Sequence, residues 1–191
     1  MQRHQILESI TDEFALSSQH KAKVAWDEGR FDSQICSVDA PCFADDGTPT
    51  DEIKTVSRDQ GLRDTTIEGL SQLKPILEGG IHTAGNASQI SDGSAAVLWM
   101  SAEDAKLRGF KPRARIITDC TVGTDPYYLL DGPVDATEHM FRKTGMNMSD
   151  IDLFEINEAF AAVVLSWAQV FDADMSKVIV NGGAIAIGHP V

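Results

Sequence analysis

The sequence predicts an α/β fold with a mostly parallel sheet. Two observations carry that prediction. Strand and helix signals alternate through the second half of the chain, and the helix signals begin and end on recognisable capping residues. Residues 10–29 have a helical pattern that places Phe14, Ser18, Ala22 and Ala25/Trp26 on one stripe, with Gly29 as the stop. Residues 35–38 read as a short strand, and 39–55 as a loop rich in Asp, Pro and Gly. Thr65-Thr66-Ile67-Glu68 is a capping box opening a short helix that Pro75 terminates. Residues 79–93 are small and polar and lead into the apolar run 95–100. Ser101-Ala102-Glu103-Asp104 starts another capped helix, closed by Gly109. Residues 114–119 read as a strand. Pro133 suits a first helical turn, and that helix runs to Gly145. Ser149 caps a short turn. A strand at 153–156, a helix at 158–171 and a strand at 177–180 complete the series. The clearest internal boundary falls near 109–113.

Composition sets wide limits. The chain has 191 residues, 42% of them hydrophobic, which suffices for one domain core or for parts of two. Lys and Arg number 16 against 29 Asp and Glu, a formal net charge of −13. So acidic a chain is ill suited to nucleic acid or to an anionic membrane surface, and neither is expected as a partner. The longest apolar runs, 95–100 and 159–165, are far too short to span a bilayer. The opening residues lack the apolar core of a signal peptide. Cys36, Cys42 and Cys120 form no CxxC and cannot all pair, which predicts a reduced, cytoplasmic protein. The sequence stops at Gly188-His189-Pro190-Val191, where an α/β unit would ordinarily run on into a helix, so a truncated chain is expected.

Two strand–helix junctions can carry chemistry. At the first, Asn157 and Glu158 follow the apolar strand 153–156 and precede a helix that is apolar almost all round. Sites in α/β sheets gather at the carboxyl ends of strands, where free helix N–H groups favour developing negative charge. The alternative is that Asn157 is an N-cap and Glu158 a first-turn carboxylate. At the second junction, Asn181-Gly182-Gly183-Ala184-Ile185-Ala186-Ile187-Gly188-His189-Pro190 combines glycines that admit close backbone approach with one histidine, the side chain suited to move protons near neutrality. No Gly-Lys-Ser/Thr follows, so this is not a phosphate loop. The alternative is a structural turn with an incidental histidine. A third segment, 83–93, is small and polar enough for a ligand to lie across it, or is a plain loop. Asp45-Asp46-Gly47 lacks the ligand pattern of a calcium loop. His4, His20, His82 and His139 have no metal-like spacing, and His20 and His139 are expected on helix surfaces. The three cysteines carry no nucleophile signature.

Taken together, Thr83-Ala84-Gly85-Asn86-Ala87-Ser88, Glu155-Ile156-Asn157-Glu158-Ala159-Phe160-Ala161 and the 181–190 segment resemble the thiolase family in order and spacing. The resemblance is to degradative acetyl-CoA acyltransferases, with 163–168 similar to actinobacterial thiolases of steroid and fatty-acid breakdown. Supporting stretches lie at 12–16, 29–32, 73–75 and 150–153. The resemblance implies cleavage of a 3-oxoacyl-CoA by CoA, or the reverse condensation, with coenzyme A as substrate and with no bound cofactor or metal. It implies that His189 activates a cysteine and polarises the thioester oxygen, and that Asn157 holds a water completing the oxyanion hole. Glu158 would support that geometry. Ser88, Ala84 and Ala87 would lie along the pantetheine arm, Arg63 near the adenine–phosphate end, and Phe160 in the acyl pocket.

The resemblance further implies part of a five-layer αβαβα sandwich. Residues 1–110 would form the end of the family's N-terminal domain with a partial loop domain, and 111–191 its C-terminal domain. None of the three cysteines matches either catalytic cysteine of the family. The expectation is therefore a chain inactive alone, one that leaves strand edges and apolar faces bare and works as a homo-oligomer or with a partner chain. A non-catalytic CoA-binding or assembly module is the alternative, and a β-ketoacyl synthase relative is disfavoured by the motif pair.

Overall fold

The computed structural model describes residues 8–190, and its longest element is helix α1, Glu8–Asp27. The inner face of α1 is built from small and polar residues: Thr11, Asp12, Ala15, Ser18, Gln19, Ala22 and Ala25 are buried. Small side chains let neighbouring backbone come close, and that is how this helix is used. Gly29 follows in the left-handed region, at φ +69°, as a helix stop requires.

The chain then forms a two-stranded antiparallel hairpin, β1 (Val38–Phe43) and β2 (Pro49–Val56), with Val38 opposite Val56 and an irregularity between Pro41 and Phe43. This corrects the loop expected at 39–55. The Asp-Asp-Gly turn, with Gly47 at φ +81°, is a hairpin signal that the polar composition hid. Both strands are almost wholly exposed, and the hairpin is the only sheet with paired strands among the described residues.

Short helix α2 (Ile67–Leu70) is capped one residue later than the sequence suggests, with the Thr66 hydroxyl accepting from Gly69 N at 3.1 Å. It ends at Leu70, well before Pro75. Helix α3 (Ala102–Leu107) is capped by Ser101, which accepts from Asp104 N at 3.0 Å, and Gly109 follows at φ +72°. Helix α4 (Gly132–Thr144) has proline in its first turn and stops on Gly145 at φ +75°. A 3₁₀ turn at Met148–Asp150 is capped by Asn147 rather than by Ser149. Helix α5 is Ala161–Phe171 and α6 is Ala184–Ile187.

The parallel pairing expected of the second half is present as single bridges, Phe154 with Val178 and Ile90 with His189, rather than as continuous strands. Residues 114–119 form no strand. Ile116 and Ile117 are exposed there, and no described segment pairs with them.

The core lies where α1, α5 and α6 meet. Val164, Trp167, Ala168, Val178 and Ile179 form one buried cluster, and Ala15, Leu70, Ala161 and Ile185 another, with Phe14 touching both. The indole of Trp167 donates to the Thr137 hydroxyl at 2.9 Å, which ties α5 to α4. Outside this core much apolar surface is bare, notably Val97, Leu98, Trp99, Ile116, Ile117 and Leu129. No helix among the described residues is long and apolar enough to cross a membrane.

Candidate active site

Asn157 and Glu158 sit before α5, not inside it. Residue 160 is its extended N-cap, at φ −145° and ψ 149°, and makes no side-chain cap, so the reading of Asn157 as an N-cap does not hold. Instead, the two neighbours face opposite ways. Glu158 points inward and is fully buried, while Asn157 points out to an open face.

Glu158 Oε2 accepts from the Ser18 hydroxyl of α1 at 2.7 Å and from Ile185 N of α6 at 3.0 Å. The Ser18 oxygen in turn accepts from Gly183 N at 3.1 Å. Burial pushes the Glu158 carboxyl above its ordinary range; the Ser18 and Ile185 hydrogen bonds oppose that push, and Glu155 adds to it. Oε1 of Glu158 is buried with no hydrogen-bond partner among the described residues.

This carboxylate and the backbone of α1 together explain the paired glycines. A Cβ on Gly183 would stand 2.7 Å from the Glu158 carboxyl carbon, and one on Gly182 would stand 2.5 Å from the Ser18 carbonyl oxygen. Only bare backbone can lie this close to α1. Arg30 donates to the Asn181 side chain at 2.8 Å and holds the start of the same turn.

From Gly183 the chain makes the single turn of α6 and reaches His189. The His189 backbone N–H donates to the Gln89 carbonyl at 3.0 Å. The outcome is that Asn157 Nδ2 lies 3.5 Å from His189 Nε2. That separation is at the outer limit of a hydrogen bond. The imidazole tautomer decides whether the amide donates to the ring or both N–H groups face a third atom together. An oxygen carrying negative charge is what such a pair would hold.

The segment 83–90 is stitched to the same junction. Asn86 is fully buried; its amide donates to Thr11, Asp12 and the Ile81 carbonyl, and its carbonyl oxygen accepts from Thr83 N. Its backbone carbonyl accepts from Ala161 N at 2.9 Å, the Ala159 carbonyl accepts from Ser88 N at 3.0 Å, and Ala87 bridges Phe160. Ser88, Ala87 and Phe160 are half-buried and meet here. Phe160 stacks on His82, ring centroids 4.5 Å apart. Burial lowers the basicity of the His82 imidazole.

Ala84 and Arg63 line a separate cleft of about 210 Å³ with Gln19, Leu70, Gln89 and Ile185. Asn157, His189, Ser88, Ala87 and Phe160 are not on its wall. Gln89 connects the two places, because its side chain lines the cleft and donates to the Gly61 and Ile185 carbonyls at 2.8 Å each while its carbonyl holds His189. Nothing in the sequence marks Ser18, Gln19 and Gln89 individually as part of the site. Two of them lie on a helix face that looks like ordinary core, and the third sits inside a segment legible only as small and polar. Among the described residues, no group of three His, Cys, Asp or Glu side chains is gathered as a metal ion requires. Cys36 is exposed, Cys42 lies on the hairpin, and Cys120 lies 3.7 Å from the Ala136 carbonyl. None of the three lines the cleft. His20 and His139 are on the surface, as expected.

Comparison with known proteins bears on this arrangement. Residues 1–103 match the family described as Thiolase, N-terminal domain, and 110–191 match Thiolase, C-terminal domain. Steroid 3-ketoacyl-CoA thiolase FadA6 of Mycobacterium tuberculosis is 41% identical, over 94% of this chain and 42% of its own length. The mitochondrial 3-ketoacyl-CoA thiolase of Bos taurus is 40% identical, over 99% of this chain and 46% of its own. Among solved structures, the Bacillus anthracis acetyl-CoA acetyltransferase superposes with a TM-score of 0.90 at 39% identity, covering 97% of this chain and 46% of that one. Human mitochondrial 3-ketoacyl-CoA thiolase gives 0.83 at 36% identity, over 96% and 45%. The chain thus spans less than half the length of these relatives.

Proposed function

The chain belongs to the thiolase family, and from that premise we propose that it carries the oxyanion-binding part of an acyl-transfer site acting on 3-oxoacyl-CoA and CoA. The observation that carries this reading is the convergence of Asn157 Nδ2 and His189 Nε2, 3.5 Å apart on an open face.

In the reaction proposed, a cysteine thiolate attacks the 3-oxo carbon. The bond between carbons 2 and 3 breaks, and its electron pair passes into the enolate of acetyl-CoA. A second cysteine protonates that enolate, and the thiol of free CoA takes the shortened acyl group from the first. At each stage negative charge gathers on a thioester or carbonyl oxygen. Donors already fixed in place stabilise that charge without having to reorganise. His189 donates from Nε2, and Asn157 acts through a water. His189 also takes the thiol proton that makes the nucleophile.

We place the pantetheine arm along Ser88, Ala87 and Ala84 and the phosphate end beside Arg63, with Phe160 facing the acyl group. The positions of Cys36, Cys42 and Cys120 favour nucleophilic sulfur from elsewhere, so this chain by itself does not turn over. We propose that it acts in the cytoplasm within a homo-oligomer or with a partner chain, divided between 1–110 and 111–191.

Calorimetry with CoA, beside an assay of 3-oxoacyl-CoA cleavage, tests the proposal. CoA binding that Ser88→Trp abolishes, without turnover by the isolated chain, is expected. Turnover that survives replacement of all three cysteines overturns the mechanism. Absence of CoA binding overturns the assignment of the ligand-binding residues.

A further inference from the structure

We propose that Ser18 is a positioning residue for the Asn157–His189 pair, because its hydroxyl joins the Glu158 carboxylate to the Gly183 amide and so pins both arms of the site to helix α1. Ser18 lies in none of the three motif segments; it is buried in the middle of α1, 140 positions before Glu158. Its oxygen does two jobs. The O–H donates to Glu158 Oε2 at 2.7 Å, and the lone pairs accept from Gly183 N at 3.1 Å. The same Oε2 accepts from Ile185 N. One closed set of hydrogen bonds therefore reaches residue 158, beside Asn157, and residues 183 and 185, the base of the turn that ends at His189.

Packing leaves the set no slack. Gly182 and Gly183 press on Ser18, Ala22 and Glu158 at distances that admit no Cβ. Lys21 also takes part, reaching across from α1 to donate to the Val178 carbonyl at 3.0 Å. A buried carboxylate with one oxygen left unpartnered is an expensive way to hold a core together. It is a good way to fix two loops in one geometry. Removing the Ser18 hydroxyl frees the Gly183 amide and halves the donors on Glu158, so the two arms gain independent motion.

The test is amide hydrogen exchange and side-chain NMR on the 191-residue chain, comparing Ser18→Ala, Ser18→Thr and Ser18→Cys. Ser18→Ala is expected to speed exchange at Gly183 and Ile185 roughly tenfold and to weaken the cross-peak between the Asn157 amide and the His189 ring. The Trp167 indole N–H, bonded to Thr137, serves as a distant marker and should keep its protection. Ser18→Thr keeps the hydroxyl but adds a methyl in a tight site, and its exchange at Gly183 and Ile185 should lie closer to the parent than that of Ser18→Ala. Ser18→Cys is somewhat bulkier than serine and only a weak donor, and gives the same reading as alanine if alanine does not fold. Unchanged exchange at Gly183 and Ile185 overturns the proposal, as does a loss spread equally to the Trp167 marker. The inference rests on the acyl-transfer reading for what the pair does. No substrate enters the measurement, so a failure of that reading leaves this result standing, and a failure here leaves CoA binding untouched.

Discussion

The side-chain amide of Asn157 and the Nε2 of His189 are 32 positions apart in sequence and 3.5 Å apart in space. Neither residue makes a cap or fills a core. Each ends a short path that begins at one buried carboxylate, Glu158.

Because the pair faces outward, replacing it should cost activity and not stability. Under the acyl-transfer reading proposed above, Asn157→Ala should lower kcat by about 10²–10³-fold, the range for losing a fixed oxyanion donor, and His189→Ala by more, since it also loses the proton acceptor. Unfolding free energy of the Asn157→Ala chain should stay within about 0.5 kcal/mol of the parent. Steady-state kinetics beside urea unfolding checks both. A stability loss with kcat intact would show the pair to be structural.

Glu158 should make the chain less stable as pH rises. Its folded carboxyl keeps a proton to higher pH than the unfolded one, whose ordinary value is 4.5. The folded state then binds more protons over that interval, so stability is fully present below the ordinary value and falls as pH climbs through the raised one. Glu158→Gln cannot ionise and should flatten this decline. Asp27, Asp46 and Asp174, held below their ordinary range mainly by hydrogen bonds, slope the other way, but equally in both proteins. Urea unfolding from about pH 4 to pH 8, parent minus variant, reads the Glu158 part together with its coupling to Glu155. A difference that does not change with pH would mean the carboxyl titrates alike in both states.

Alanine at the paired glycines should be costly, and more so at 182. Gly183→Ala forces its methyl against the Glu158 carboxyl, at about 1–3 kcal/mol. Gly182→Ala meets the Ser18 carbonyl and Ala22, and adds the strain of φ +73°, a further 1–2 kcal/mol or so. Thermal and chemical denaturation should rank parent, Gly183→Ala, Gly182→Ala in falling order. Equal stability of the two variants would mean that the turn can move off α1.

Asp172 closes α5 in the left-handed region, at φ 47°, and is exposed. Asp172→Gly should therefore stabilise the chain by about 0.5–1 kcal/mol, since glycine occupies that conformation without strain. A lowered melting temperature would show that the aspartate side chain contributes something beyond its backbone.

Helices that carry their own punctuation were legible in the sequence. Pro133 and Gly145 bracket α4, and Ser101 and Gly109 bracket α3, because capping is local chemistry. The hairpin segment predicts a loop from its sequence because Asp, Pro and Gly outweigh a faint alternation on two exposed strands. The start of α5 was placed three residues early: the pull of Ser18 and the Ile185 amide on Glu158 is tertiary, and helical periodicity cannot reveal it. For the same reason motif resemblance marks Asn157 and His189, whereas the roles of Ser18 and Gln89 exist only in the folded chain.

Gln89 has a consequence for anyone redesigning this protein. Its side chain forms part of the cleft wall and its main chain accepts from His189 N, so the cleft and the histidine are built on one residue. A library that varies position 89 removes the side-chain bonds to the Gly61 and Ile185 carbonyls, while the main-chain carbonyl that accepts from His189 N is present in every variant. Positions 63 and 84 border the cleft without holding the histidine, so under the assignment proposed above CoA binding can be altered there separately.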